Sequence, residues 1–259
     1  PMLGITSVPN LRDVGGKPTR DGRFVRTGLL YRSGSLQRLD GADIEAFGQL
    51  GIRRVYDVRS ARERESMPDN LPPGAESVSS DVLADWSEGS PDRVHALLGD
   101  PEAARREMGG GRVEALWIEQ YRKFVTLPSA RATYGRLFRD IASAQNRPAL
   151  IHCSGGKDRS GWAAVSLLLL LDVAPDVVMA DYLRSDQREN ASAAAMVRTL
   201  VERGADPELW RPIYTAEPRY LEAGLEQVRL SFGSIVAYFA DGLGVDAAMQ
   251  EALRAAFVA

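Results

Sequence analysis

Cys153 is the single cysteine among 259 residues, and Arg159 follows six positions later in Ile151-His152-Cys153-Ser154-Gly155-Gly156-Lys157-Asp158-Arg159-Ser160-Gly161. A thiol and a guanidinium at that spacing, with two glycines between them, have the layout of a loop that wraps an oxyanion and carries the sulfur in its floor. The chemistry would be phosphoryl transfer. The thiolate attacks phosphorus while the planar arginine fork holds two phosphate oxygens, and Gly155 and Gly156 let the backbone take left-handed dihedrals and approach the anion closely. Free thiols ionise near about 8.5, whereas those at helix N-termini or beside cations ionise at roughly 3.5–7.5, so the surroundings decide whether such a sulfur is a nucleophile. The candidates for gripping phosphate are Ser154, Gly155, Gly156, Lys157, Asp158 and Arg159. The Ser160 hydroxyl is placed to hydrogen-bond the sulfur and make it a better leaving group in a second step. Strand alternation turns the His152 ring to the side opposite the cysteine, where it orients the loop by hydrogen bonding.

Spacing alone is weak evidence. Arginine occurs 29 times and lysine three, so roughly one cysteine in nine would meet an arginine at this offset by chance. The ordinary reading of a lone cysteine is a small buried hydrophobe. The context argues otherwise: Pro148 to Ile151 reads as a short buried strand, and Trp162 to Leu171 as an apolar central helix. The loop then lies beyond the carboxyl end of a strand and against a helix N-terminus, where open α/β sheets bind anionic ligands. The nucleotide-binding pattern requires Ser or Thr after Gly-Lys, and Asp158 stands there instead. With only His95, His152 and Cys153 as nitrogen or sulfur ligands, metal chemistry is disfavoured, and no cofactor is implied.

The run from His152 to Gly161 resembles the signature of a bacterial tyrosine phosphatase family. Four further segments carry the same resemblance: Asn10-Leu11-Arg12-Asp13-Val14-Gly15-Gly16, Leu30-Tyr31-Arg32-Ser33-Gly34, Asp57-Val58-Arg59-Ser60 and Asp181-Tyr182-Leu183-Arg184-Ser185. Departures are mild: Ser160 stands where threonine is commoner, and Gly155 where alanine often precedes a single glycine. The resemblance implies an α/β phosphatase fold, with a central, mainly parallel sheet flanked by helices, and a cysteinyl-phosphate mechanism. Its implied substrates are phosphotyrosine, often phosphoserine and phosphothreonine, and in several members phosphoinositides. The Lys157-Asp158 pair sets the group apart, and a cation at the loop rim suits polyanionic headgroups.

Departure of the leaving group also needs a protonated carboxyl. By its position after the strand-like Glu76 to Ser79, and by the resemblance, Asp81 is the first choice. Asp85 stands close behind, and Asp158 competes from within the loop. Asp13, Asp57 and Arg59 lie near strand ends and tie loops together; Arg12, whose motif the resemblance places near the site, is the one candidate among them for touching substrate, with a structural ion pair as its first reading. A protein phosphatase, a phosphoinositide phosphatase using the same site, and a binding module that holds phosphorylated partners without turnover are the three readings to separate.

The elements that must position these groups follow from pattern. Gly22 to Ser33 suggests a hairpin, Asp40 caps a helix running through Leu50, and Arg53 to Val58 forms an inner strand. Ser87 to Gly111, rich in Gly, Pro and charge, reads as a mobile excursion. Helices are expected over 112–125, 129–144, 175–184, 186–203, 218–230 and 244–257. The resemblance implies a helical lid over 186–211 on a single domain spanning 1–259. A net charge of −3 argues against nucleic acid as a partner. The apolar run ending at Leu171 is shorter than the about 20 residues a membrane span needs. No segment reads as a cleavable signal peptide, so the expected location is cytoplasmic, or exported by a route that uses none. A single cysteine leaves no internal disulfide.

Overall fold

The computed structural model describes residues 5–97, 100–186, 198–199, 201–202, 204 and 206–259. Five strands form one sheet: β1 Arg12–Asp13, β2 Leu30–Ser33, β3 Arg54–Asp57, β4 Glu76–Ser79 and β5 Ala149–His152. Their order is β1-β2-β5-β3-β4. The β1–β2 pair is antiparallel and the other pairs are parallel, the mainly parallel α/β arrangement expected.

Alternation along the inner strands sorts side chains to two cores. Leu150, Val55 and Tyr31 join Leu36, Leu39 and Phe47 in a small cluster on one face. Ile151, Cys153, Tyr56, Val58 and Leu30 belong to the large cluster on the other. The first helix, α1 (Gly41–Gly48), covers the small face through Phe47. Asp40 precedes it but its side chain makes no capping hydrogen bond, so that expectation is corrected. By contrast, α2 (Ala61–Ser66) starts with a complete capping box, in which the Ser60 hydroxyl accepts from the Glu63 N–H and the Glu63 carboxylate accepts from the Ser60 N–H.

The excursion expected between Ser87 and Gly111 is instead helical: α3 Pro91–Leu97 and α4 Pro101–Met108. Its sequence is polar because only one face is buried, and Val94, Leu97, Ala103, Ala104 and Met108 supply that face. Two long helices follow, α5 Arg112–Thr126 and α6 Pro128–Ala142. Pro128 opens α6 as its first residue, where a missing N–H costs nothing. The central helix α7 runs Arg159–Leu170 and is buried on nearly every side. After it come α8 Pro175–Leu183, α9 Pro207–Tyr214, α10 Pro218–Phe232 and α11 Ala247–Phe257. Gly224 of α10 lies so close to α7 that a Cβ there would sit 2.6 Å from the Trp162 ring.

The hairpin expected over Gly22 to Ser33 is also corrected. Val25 exchanges hydrogen bonds with Gly16 and Lys17, and Phe24 with Ala259, while Leu30–Ser33 is a separate strand between β1 and β5. Most of the lid expected over 186–211, and of the helix expected over 186–203, lies outside the described residues. No helix among the described residues is long and apolar enough to cross a membrane.

Candidate active site

The parallel strands deliver four stretches to one edge of the sheet: 34–35 after β2, 58–63 after β3, 80–81 after β4 and 153–159 after β5. Because β5 lies between β2 and β3, the loop from Cys153 to Asp158 enters α7 from the middle of that edge. Its carbonyls are held from outside. The Ser35 N–H donates to the Ser154 oxygen at 3.0 Å, Asn10 Nδ2 to the Gly155 oxygen at 2.8 Å, and Arg32 Nη2 to the Gly156 and Lys157 oxygens at 2.9 and 3.0 Å. In a trans peptide the N–H points opposite to the C=O, so the amides of Gly156, Lys157 and Asp158 turn to the inner side of the loop. A ring of such amides at the start of a helix is an anion cradle.

Gly156 takes φ +70°, and a Cβ there would lie 2.4 Å from the Gly34 nitrogen. Only a glycine fits. Gly155 does not share that conformation, since Gly156 alone within the loop has a positive φ, which corrects the expectation for the pair. Cys153 is buried, with Ser160 Oγ 3.5 Å from its sulfur.

Arg159 sits in the first turn of α7 with its fork gripped end-on by a carboxylate that sequence reasoning missed. Nη1 donates to Glu63 Oε2 at 2.6 Å and Nη2 to Oε1 at 2.8 Å. Neither bond uses Nε. The Ser154 hydroxyl donates to the same Oε1 at 2.5 Å. Burial alone would raise the Glu63 pKa, but the charge of Arg159 and the hydrogen bonds from Arg159, Ser154 and the Ser60 N–H hold it at about 2. Burial would lower that of Arg159, and Glu63 more than reverses this. The signal that could have found Glu63 is its capping-box spacing from Ser60, which explains the helix start and leaves the Arg159 partnership unstated.

Among the three acid candidates the geometry separates roles. Asp81, half-buried just past β4, accepts the Leu83 N–H at 2.8 Å. Burial pushes its pKa up, against the pull of that N–H and of Arg159. Asp85 is exposed and accepts the Ser129 N–H at 2.7 Å, serving the start of α6. Asp158 accepts from the Tyr121 hydroxyl at 2.9 Å and lies 3.1 Å from Lys157 Nζ.

Lys157 departs from expectation. Its side chain is 1% exposed and not at the loop rim. Nζ donates to the Pro212 and Thr215 oxygens at 2.6 and 2.8 Å, tying the loop to the end of α9.

The remaining sequence candidates surround the loop. Asp13 accepts the Gly15 and Gly28 N–H groups. Arg12 donates to Ser185 Oγ at 2.7 Å and faces Asp181 at 3.7 Å; burial and the neighbouring Arg32 bring its pKa down to about 9. Arg59 pairs with Asp57 and Asp69 at 2.8 and 2.7 Å, and His152 Nε2 lies 3.1 Å from Asp69. Asp57, Asp69 and His152 stand close enough to hold a metal ion, but the Arg59 guanidinium already occupies both carboxylates, so the cluster fits a buried ion-pair network better than a cation site.

A buried cysteine in a glycine-containing loop that leads into a helix, with Arg159 in the first turn of that helix and the half-buried Asp81 past the edge strand, is an arrangement suited to binding a phosphate group. A family model described as "Tyrosine phosphatase family" matches residues 3–259, and the chain belongs to that family of enzymes. It is 32% identical over 248 residues to a protein named as a tyrosine-protein phosphatase in Cupriavidus necator, covering 95% of this chain and 85% of that one. It is 28% identical over 269 residues to the triple specificity protein phosphatase PtpB of Mycobacterium tuberculosis, covering 95% of each. A tyrosine-protein phosphatase of Nostoc commune is 29% identical over 151 residues, 58% of this chain and 46% of that one.

Proposed function

We propose that the protein hydrolyses phosphate monoesters on proteins, phosphotyrosine foremost and phosphoserine or phosphothreonine besides, through a cysteinyl-phosphate on Cys153. The substrate phosphate enters the amide cradle, with Arg159 and the inward amides of Gly156, Lys157 and Asp158 on its oxygens. The Cys153 thiolate attacks phosphorus, the S–P bond forms, and the bond to the leaving oxygen breaks as the Asp81 carboxyl gives that oxygen its proton. Water then attacks phosphorus, Asp81 takes the water proton, and the S–P bond breaks to release phosphate and regenerate the thiolate. Ser160 Oγ, 3.5 Å from the sulfur, eases that second step by hydrogen bonding to the departing anion.

The observation that carries this reading is the meeting of Cys153, Arg159 and an acid of raised pKa at one sheet edge. A module that only binds phosphorylated partners has no use for a carboxyl held towards its protonated form. The name of the mycobacterial relative supports breadth of substrate. The phosphoinositide reading rests on the family resemblance and on a cation at the loop rim; the buried Lys157 does not provide that cation, so phosphoproteins are the favoured class.

The test is hydrolysis of an aryl phosphate by the wild type, Cys153→Ser and Asp81→Asn. Loss of turnover in the first and a fall in kcat of about 100-fold or more in the second are expected. Wild-type rates in both would remove the assigned roles. A panel of phosphotyrosine peptide, phosphothreonine peptide and phosphoinositide, ranked by kcat/KM, fixes the substrate class.

A further inference from the structure

Arg32 on β2 is fully buried beneath the loop, and the mechanism so far gives it no part. Its single Nη2 donates to the Gly156 and Lys157 oxygens. Among the described residues its Nε and Nη1 find no hydrogen-bond acceptor, and its one carboxylate neighbour, Asp181, stands 3.8 Å from Nη1. That carboxylate is shared: Lys17 lies 3.1 Å from it and Arg12 3.7 Å. Arg184 joins them at 4.0 Å, so four cations among the described residues share one carboxylate, and two of them, Arg12 and Arg32, are buried where electrostatic effects are strong. Besides Asp181, the groups able to carry compensating charge towards Arg32 are Cys153 and the hydroxyls of Tyr121 and Tyr182.

We propose that Arg32 is a positioning residue of this phosphatase: it turns the Gly156 and Lys157 carbonyls out of the cradle and supplies a fixed positive charge behind the Cys153 sulfur. The inference rests on Cys153 being the nucleophile. Two independent features carry it, the pair of loop carbonyls bound by one nitrogen and the surplus of buried cations. A residue that only filled space would need neither. Arg159 from α7 and Tyr134 from α6 are further ionisable neighbours of the sulfur, and Arg32 stands on β2, beneath the loop.

The experiment compares wild type, Arg32→Gln and Arg32→Lys in the full chain by alkylation of the single thiol with iodoacetate across pH and by kcat and KM on an aryl phosphate. In Arg32→Gln the alkylation profile moves to higher pH by about one unit or more, and kcat falls about 100-fold. Arg32→Lys keeps the charge on a side chain one bond shorter, so its ammonium falls short of the two carbonyls that Nη2 holds; its profile stays near wild type while kcat falls about 10-fold. A folded Arg32→Gln with the wild-type profile and kcat overturns the proposal. If Arg32→Gln does not fold, Arg32→Lys decides alone, and unchanged kcat and KM in it are equally fatal. Failure of the underlying reading looks different: wild-type activity would then survive alkylation of Cys153.

Discussion

Glu63 serves two structures with one carboxylate. It closes the capping box of α2 and grips Arg159 end-on, so the helix start fixes where the guanidinium points. Its pKa of about 2, against an ordinary 4.5, is a statement about stability. A carboxylate depressed in the folded state contributes stability that is complete above the unfolded value and is lost as pH falls from about 4.5 towards 2. Glu63→Gln should therefore cost about 3 kcal/mol at neutral pH, with the gap from wild type narrowing as pH falls below about 4.5. Denaturant unfolding at several pH values measures this. The same variant should lower kcat/KM about 10-fold or more, since Arg159 loses its charge-assisted partner. A constant stability gap across that pH range would show that ion pairing is not what Glu63 contributes. The pairing of Cys153 with Arg159 was legible as a candidate from a short-range spacing, and Asp81 stood out as a candidate acid by its place after a strand and by the family resemblance. Glu63 did not, because its partnership spans 96 positions and neither residue carries a local sign of the other.

At the scale of elements, the loop is shaped by two backbones meeting at glycines. Gly156 packs against the Gly34 nitrogen, and Gly34 in turn has Ser154 O 2.9 Å from where its own Cβ would be. Gly156→Ala must both strain a positive φ and push β2 away from the loop. An expected loss is about 1–3 kcal/mol in stability, together with at least a 100-fold fall in kcat as the amides lose their aim. Thermal unfolding and steady-state kinetics check both, and full activity in a stable variant would mean that the crossing of these backbones does not shape the cradle. The strands β3, β4 and β5 and the long helices were readable from the sequence pattern, whereas β1 is only two polar residues and β2 was read into a hairpin. The α3 and α4 pair was not, because a helix that buries only Ala103, Ala104 and Met108 out of eight residues leaves a polar sequence. Arg159, Ser160 and Gly161 extend the central helix ahead of the apolar run that begins at Trp162. They are buried by the site they build and not by any hydrophobic character of their own.

Across the whole molecule, the strand order brings together residues from four distant parts of the chain, and their protonation states oppose one another. The mechanism needs an ionised sulfur and a protonated Asp81 at once. Burial raises the Asp81 pKa, so the acid stays protonated to higher pH than an ordinary carboxyl, and activity falls as pH rises through its value. The expected kcat/KM profile is a bell with its maximum below neutrality, and Asp81→Asn should abolish the alkaline limb. A wild-type rate still climbing above pH 8 would contradict the assignment. What no local pattern could have revealed is the direction of long side chains: Lys157 was legible as a loop cation but not as one facing inward, because its partners lie more than fifty positions downstream.

That inward ammonium acts as a bolt. It is shared by the phosphate loop, through its own backbone, and by the turn that closes Pro207–Tyr214, through the oxygens of Pro212 and Thr215. A ligand with one phosphate leaves the bolt shut. A ligand that drew this nitrogen to a second anionic group would have to withdraw it from both oxygens, and the end of that helix would lose both hydrogen bonds in the same act.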